Sequence, residues 1–219
     1  AVGPAQTLQK KNPDGTTTTL YGSLKNGTLL PESGEGFVRL NSADTTWGAG
    51  MMISLIENST AFFLKNFPMK NKIYIGSIAQ QNGGPYGPHK SHQNGLDGDI
   101  LFMGQTKYGT VLDEDGQVSS KFDPALNFAF WKLLVQQNLV VGGKTQSAVY
   151  MIFVAPVIKD FMCDWAQKNA LLNDPLNAEV MRRLRRTAGH DTHFHVRLRC
   201  SPFYSECHQL GEIESGTGC

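Results

Sequence analysis

Two short histidine clusters, about a hundred residues apart, constrain this chain more than any other feature. The first contains His89 and His92 and is followed by Asp99, and the second contains His190, His193 and His195. Histidine and carboxylate are usual ligands of a catalytic zinc, which takes three protein groups and leaves a fourth position open. A fold that uses these residues together must bring two distant segments into contact.

The second cluster alternates in character along the chain. His193 and His195 occupy every other position, and the apolar residues Phe194, Val196 and Leu198 lie between and after them. A period of two is that of a strand with one face in the core. We therefore predict a strand over residues 193–199 that presents both histidines on the face opposite to the core.

Length and charge limit the classes of protein that this chain can be. Its 219 residues fit one sizeable domain. Its net charge is +1, and it contains no long basic run of the kind typical of nucleic-acid binding. No apolar stretch is long enough for a transmembrane segment. The chain begins with Ala1, which we interpret as a trimmed product of export. We expect an irregular N-terminal segment over residues 1–20 and a single domain over residues 21–219.

Helices and strands are predicted to be mixed along the chain. Apolar spacing and the Asp-Pro pairs predict helices within 47–67, from Asp123-Pro124, from Pro156, and from Asp174-Pro175 through Arg186. Strands are predicted at 72–78, 98–103, 148–154 and 193–199. This order lacks a regular βαβ rhythm, so it favours an α+β fold with an antiparallel sheet and flanking helices. We expect the arginines within residues 182–186 to form a solvated helix face, in preference to a binding site for an anionic polymer.

Four cysteines lie in the C-terminal third, at positions 163, 200, 207 and 219. Four cysteines allow three pairings, and none here forms the C-x-x-C spacing of a cysteine zinc site. Two disulfides in an exported protein are favoured over four reduced thiols. Cys200 and Cys207 bracket a turn and could close a small loop.

Longer stretches around both histidine clusters resemble one enzyme family. The segments Ser91–Ile100 and His193–Cys200, together with Ile152–Lys159 and Cys163, are similar to the penicillin-insensitive murein endopeptidases. That family belongs to the metallopeptidase group of lysostaphin, D-alanyl-D-alanine peptidase and sonic hedgehog. The resemblance implies the metallopeptidase core fold of that group.

The resemblance also implies an activity and roles for individual residues. It implies a periplasmic, zinc-dependent endopeptidase that cuts the D-alanyl to meso-diaminopimelyl cross-link of peptidoglycan. By position in the motifs, His92, Asp99 and His195 are implied to bind Zn²⁺, while His193 and His190 act in catalysis beside it.

The resemblance also bears on the cysteines and on a second metal site. The implied disulfides are Cys163 with Cys219 and Cys200 with Cys207. Family members can carry a further metal-binding histidine after an Asp-Gly turn, but Gln117 follows Asp115-Gly116 here, so one metal is expected. A homodimer is kept as an alternative assembly.

Several alternatives stay open from the sequence. The same site would serve a D,D-carboxypeptidase or dipeptidase acting on stem peptides. It would also serve a non-catalytic zinc-containing binding module in which a fourth protein ligand fills the open coordination position. His89 is a candidate ligand or supporting group, and Asp97 is an alternative ligand or orienting group. Arg197 and Arg199 are expected to pair with surface acids in preference to a substrate carboxylate, and Tyr86 is a candidate for shaping the substrate groove.

Overall fold

The computed structural model describes residues 1–209 and 211–219. Its helices agree with most of the predicted positions. They are α1 (Gly50–Asn66), α2 (Pro124–Val135), α3 (Pro156–Lys168) and α4 (Pro175–Arg183), with short 3-10 turns at Ala43–Thr45 and Leu171–Asn173.

The described strands are short, with two to six residues each. In chain order they are β1 (Gly3–Pro4), β2 (Leu8–Lys11), β3 (Thr17–Leu20), β4 (Thr28–Leu29), β5 (Phe37–Arg39), β6 (Trp47–Gly48), β7 (Ile73–Ile75), β8 (Asp97–Leu101), β9 (Asn138–Val141), β10 (Lys144–Ser147), β11 (Val149–Val154), β12 (Leu184–Arg186), β13 (His193–Leu198) and β14 (Cys207–His208).

A six-stranded sheet in the order β12-β11-β13-β8-β7-β5 forms the centre of the fold. Its inner pairs are antiparallel, whereas β11 with β12 and β5 with β7 are parallel. The α+β class is therefore confirmed, and the predicted antiparallel pairing holds for the inner strands but not for the two parallel edge pairs. Parallel neighbours need a long crossover connection, which α3 and α4 provide between β11 and β12.

Aspartate caps begin two of the helices as predicted. Asp123 accepts a hydrogen bond from the Leu126 amide and Asp174 from the Asn177 amide, each at 2.9 Å, with proline in the first turn. These contacts satisfy amides that have no partner within the helix. The predicted continuation of α4 to Arg186 is wrong, because residues 184–186 pair with β11 and form β12.

The core fixes which way β13 faces. Phe194, Val196 and Leu198 are buried, and the Phe194 ring packs against Phe130 and Trp131 of α2. The alternation of a strand then turns His193, His195 and Arg197 toward the opposite face. The predicted orientation of the second histidine cluster is confirmed.

Both disulfides implied by the resemblance are present. Cys163 in α3 is bonded to Cys219, and Cys200 is bonded to Cys207. The first ties the C-terminus to a helix, and the second closes the loop that follows β13. No described helix has the length and apolar composition that crossing a membrane requires.

The division of the chain at residue 20 stays a prediction. Within the first twenty residues, β2 and β3 form an antiparallel hairpin, so that segment contains regular structure. The isolated bridge between Val2 and Ser23 joins it to the following residues.

Candidate metal centre

The two histidine clusters meet at Asp99. Strands β8 and β13 are antiparallel neighbours in a register that sets His195 directly opposite Asp99. The Oδ1 atom of Asp99 lies 3.2 Å from Nε2 of His92, 3.4 Å from Nε2 of His193 and 3.4 Å from Nδ1 of His195. Sheet pairing thus brings together residues that are about a hundred positions apart in the sequence.

His92 is held in an uncommon backbone conformation. Its φ angle is +64°, in the left-handed region that few non-glycine residues adopt. Its Nδ1 atom lies 2.9 Å from the carbonyl oxygen of Ile78, which can only accept, so Nδ1 donates. In its neutral form, His92 therefore carries its lone pair on Nε2, which points at Asp99.

His195 is oriented by a buried carboxylate on its far side. Its Nε2 atom lies 2.5 Å from Oδ1 of Asp97, and the same oxygen accepts a hydrogen bond of 2.7 Å from Nε of Arg197. Metal-binding histidines typically donate their second nitrogen to such a group, which fixes the tautomer and the ring. The lone pair of His195 is then on Nδ1, facing Asp99.

These tautomers concentrate electron-rich atoms around one point, where a cation would be stabilised. Lone pairs of His92 and His195 face Oδ1 of Asp99, a buried oxygen that has no hydrogen-bond partner among the described residues. Electron-rich atoms at such distances repel unless a proton or a metal ion lies among them. The residues at this point therefore fit a metal ion.

Electrostatics keep the carboxylates ionised and one ring neutral. Burial and the neighbouring His92 lower the pKa of His195 to about 4. Burial opposes ionisation of Asp99, but attraction to His92 and contacts from the histidines hold its pKa well below the usual range. Burial likewise lowers the pKa of His92, but Asp99 outweighs it and raises that pKa overall. Metal ligands must be deprotonated, and His195 and Asp99 already are near neutral pH.

Asp97 is ionised as well. Burial opposes its ionisation, but Arg197 and His195 hold the pKa of Asp97 below its ordinary value. Asp97 thus lies behind His195 as a charged partner, which is the orienting arrangement that the sequence left open.

His89 forms a second possible grouping with the first cluster. Ligand atoms of His89, His92 and Asp99 all lie within 4.8 Å of one another, so these three could hold a metal ion. Burial and the neighbouring His92 lower the pKa of His89. His89 is only half-buried, whereas His92 and His195 are buried and hydrogen-bonded through their second nitrogens.

His193 and His190 lie beside the cluster on the open side. His193 contacts the Thr192 hydroxyl through Nδ1 at 2.9 Å and turns Nε2 toward Asp99. His190 donates from Nδ1 to the carbonyl oxygen of Ala188 at 3.0 Å, and its ring centroid is 5.2 Å from that of His193. Burial, and then the neighbouring His193, lower the pKa of His190, which favours a neutral ring.

A cleft of about 800 Å³ opens over these residues. This volume is in the range of small-molecule and peptide sites. Lining residues that the sequence did not single out include Met151 and Phe153 of β11, whose side chains were hidden in an apolar run. The lining consists of Gln6, Pro88, His89, Lys90, Ser91, His92, Asp99, Met151, Phe153, Thr187, Ala188, Gly189, His190, His193, His195 and Arg197.

Two tyrosine rings lie close to histidines of the candidate metal centre. The Tyr86 ring lies 4.9 Å from the ring of His89, and the Tyr108 ring lies 5.9 Å from that of His193. Burial, with a contribution from Asp99, raises the pKa of Tyr108 to about 12 and raises that of Tyr86 as well. Both phenols keep their protons at neutral pH. Sequence reasoning missed Tyr108, which lies outside both motifs.

The surface pairing predicted for Arg197 of β13 and for Arg199, just after that strand, is wrong. Arg197 is buried and pairs with Asp97, and Arg199 is buried against the Tyr150 ring. The prediction of a solvated helix face over residues 182–186 is also wrong for Arg183, which is buried and paired with Glu179. In each case tertiary packing covers a side chain whose charge suggested solvent.

Known proteins match the chain over nearly its whole length. The sequence profile of the penicillin-insensitive murein endopeptidases matches residues 16–219. The chain belongs to the penicillin-insensitive murein endopeptidase family. This is a peptidase family, and the predicted membership is confirmed.

Individual members of the family are similar at a moderate level. A penicillin-insensitive murein endopeptidase of Haemophilus influenzae is 29% identical, over 96% of this chain and 71% of that protein. Proteins of the same name from Klebsiella pneumoniae and Escherichia coli K12 are each 31% identical, over 67% of this chain. These matches span 52%, about half, of each of those two relatives.

Proposed function

We propose that this murein endopeptidase family member is a zinc-dependent hydrolase of the D-alanyl to meso-diaminopimelyl cross-links of peptidoglycan. The observation that carries the proposal is the convergence of His92 Nε2 and His195 Nδ1 on Oδ1 of Asp99 at the floor of a cleft. The names of the relatives supply the peptidoglycan substrate class.

We propose His92, Asp99 and His195 as the zinc ligands. Two imidazoles and one carboxylate form the kind of donor set that catalytic zinc takes. Each histidine has its second nitrogen engaged, by Ile78 and by Asp97, as ligands normally do. His89 is the alternative ligand to either histidine.

When bound, zinc would polarise the scissile carbonyl and lower the pKa of a water molecule. His190 is suited to take up a proton, since its Nδ1 donates to Ala188 and its Nε2 carries the lone pair of a neutral ring. His193 would position or pass that proton, because its Nε2 faces the cluster from the cleft side. General acid-base groups typically contribute roughly 10²–10⁴-fold to a rate.

A non-catalytic module would require a closed metal site. His193 is the nearest fourth nitrogen, at 3.4 Å from Asp99 Oδ1. Its side chain is 15% exposed, against 2% for His92 and 5% for His195. This greater exposure toward the cleft supports a role with the substrate and favours the catalytic interpretation.

Digestion of purified muropeptides tests the proposal. Metal-loaded protein should convert cross-linked dimers to monomers without releasing free D-alanine, and a chelator should stop the reaction until zinc is restored. Release of D-alanine from monomers would identify a carboxypeptidase instead. No cleavage by protein with full zinc would favour the binding module.

We also propose that the protein acts in the periplasm. Its two disulfides fit an oxidising compartment, and the proposed substrate lies there. Thiol mapping of protein recovered from its native host tests this, since free thiols at all four positions would contradict it. A homodimer stays an alternative assembly, to be separated from a monomer by sedimentation.

A further inference from the structure

A second cavity lies apart from the metal cleft. Its volume is about 640 Å³, and it shares no lining residue with the cleft. The end of α2, the β9–β10 hairpin and α4 form its walls. The lining consists of Val135, Gln136, Asn138, Thr145, Gln146, Ser147, Leu176, Glu179, Arg182, Arg183, Arg199 and Glu212.

Arg199 is a buried charged residue of this cavity that forms no ion pair within the described part of the chain. It is 6% exposed, and its guanidinium carbon lies 5.2 Å from the centre of the Tyr150 ring. Its side chain makes no hydrogen bond to any described residue, and its Nε is buried without a partner. Arginine cannot lose its charge in a protein, and buried charges are normally paired. Among the described residues, no carboxylate pairs with this buried guanidinium.

The carboxylate nearest to these arginines is already engaged. Glu179 binds Arg182 at 2.6 Å and Arg183 at 2.5 Å. Arg183 also donates to the carbonyl oxygens of Val149 and Tyr150. Glu212 lies on the exposed rim and forms no ion pair within the described part of the chain. Three arginines against two glutamates leave the lining positive by one charge.

We propose that this cavity binds a peptide through a free carboxylate, which Arg199 holds with its planar guanidinium. Guanidinium and carboxylate match as a two-point hydrogen-bonded pair. One uncompensated charge suits a carboxylate better than a doubly charged phosphate. Neutral amide and hydroxyl groups, among them Gln136, Asn138 and Gln146, are suited to the peptide bonds that would accompany it.

The identity of the peptide as a murein stem peptide rests on the proposed function. Stem peptides carry free carboxylates, and a site outside the metal cleft would hold the enzyme on its polymer between cuts. Binding of a carboxylate peptide at Arg199 does not itself depend on catalysis.

Hydrogen exchange with an uncross-linked muramyl tetrapeptide tests the inference, using the metal-loaded full chain. The peptide should slow exchange in residues 136–147, and affinity by calorimetry should fall roughly ten- to a hundred-fold in Arg199→Gln. Thr145→Trp should have a similar effect by filling the cavity from an exposed position. Val140→Trp, at the exposed cross-strand partner of Thr145 but outside the lining, is the matched control and should bind normally.

The outcomes separate the two proposals. If folded Thr145→Trp and Arg199→Gln both bind the peptide as the wild type does, or if residues 136–147 stay unprotected, the cavity is not a peptide site. Thr145→Trp decides alone should Arg199→Gln fail to fold. Arg199-dependent binding without any cleavage of cross-linked dimers would refute the proposed function and uphold the cavity. Amidation of the peptide's carboxylates should remove the Arg199-dependent binding, and unchanged binding would overturn the role given to Arg199.

Discussion

Nε2 of His195 lies 2.5 Å from Oδ1 of Asp97, a carboxylate that is fully buried and also bound by Arg197. This contact turns the other nitrogen of His195 toward Asp99 and assigns its tautomer. We therefore expect Asp97 to act on the proposed metal centre through His195, without contacting the ion.

Replacing Asp97 with asparagine should weaken metal binding while keeping its ligands. Partners of ligating histidines typically contribute roughly 10–100-fold in metal affinity or activity. Competition with a zinc-binding dye measures this change, and Asp115→Asn, on an exposed turn, is the control. Unchanged affinity in folded Asp97→Asn would show that packing alone orients His195.

His92→Ala, Asp99→Ala and His195→Ala should each abolish both zinc retention and turnover. Loss of one of three protein ligands leaves too few groups to hold a catalytic zinc. Metal analysis after dialysis is the measurement, with exposed His208→Ala as the control. A variant that keeps full zinc and activity would transfer that position's role to His89 or Asp97.

His193→Ala should retain zinc and lose most activity. A group that handles protons contributes roughly 10²–10⁴-fold, so kcat should fall by about that factor. Metal content and turnover are measured on the same preparation. Parallel loss of zinc would instead make His193 a fourth ligand and favour a closed, structural site.

The unfolding free energy should rise with pH above neutrality because of Lys159. Its buried ammonium donates to the carbonyl oxygens of Met181 and Thr217 at 2.7 and 2.8 Å. Burial, with Arg186 and Arg185, lowers its pKa to about 7, against an opposing effect of Asp160.

The direction of this pH effect follows from the protons bound by the folded and the unfolded states. Below pH 7 both states hold the Lys159 proton, and the burial penalty is present in full. Between pH 7 and the ordinary lysine pKa of about 10.4, the unfolded state binds more protons, so stability increases with pH. Urea unfolding from pH 6.5 to 9 should show this rise in the wild type and a smaller one in Lys159→Met. Equal slopes would mean that Lys159 titrates normally in the fold.

Removal of the Cys163–Cys219 disulfide should destabilise the protein by about 4 kcal/mol in the loop-entropy model. The bond joins residues 56 positions apart, whereas Cys200–Cys207 spans 7 and should contribute only about 2 kcal/mol in the same model. Chemical denaturation of Cys163→Ser/Cys219→Ser and Cys200→Ser/Cys207→Ser compares them directly. A larger loss from the short loop would show that local packing near β13 outweighs chain entropy.

The sequence by itself determined the parts whose pattern is local. Alternation in residues 193–198 predicted the strand and its histidine face, and the Asp-Pro pairs at 123–124 and 174–175 predicted the starts of two helices. The resemblance carried by the two motifs predicted the family and both disulfide pairs. These features depend on short-range spacing or on motifs that can be read without coordinates.

Only the tertiary structure decided the partners of the charged residues. Arg197, Arg199 and Arg183 were expected at the surface, and each is buried. Asp97 lies two residues from Asp99, so spacing alone could not tell an orienting group from a ligand. Register across β8 and β13 sets which carboxylate meets which nitrogen, and a pairing between strands so far apart in sequence leaves no local signal. The parallel β11–β12 pair has the same cause, since the packing of α3 and α4 determines where β12 joins the sheet.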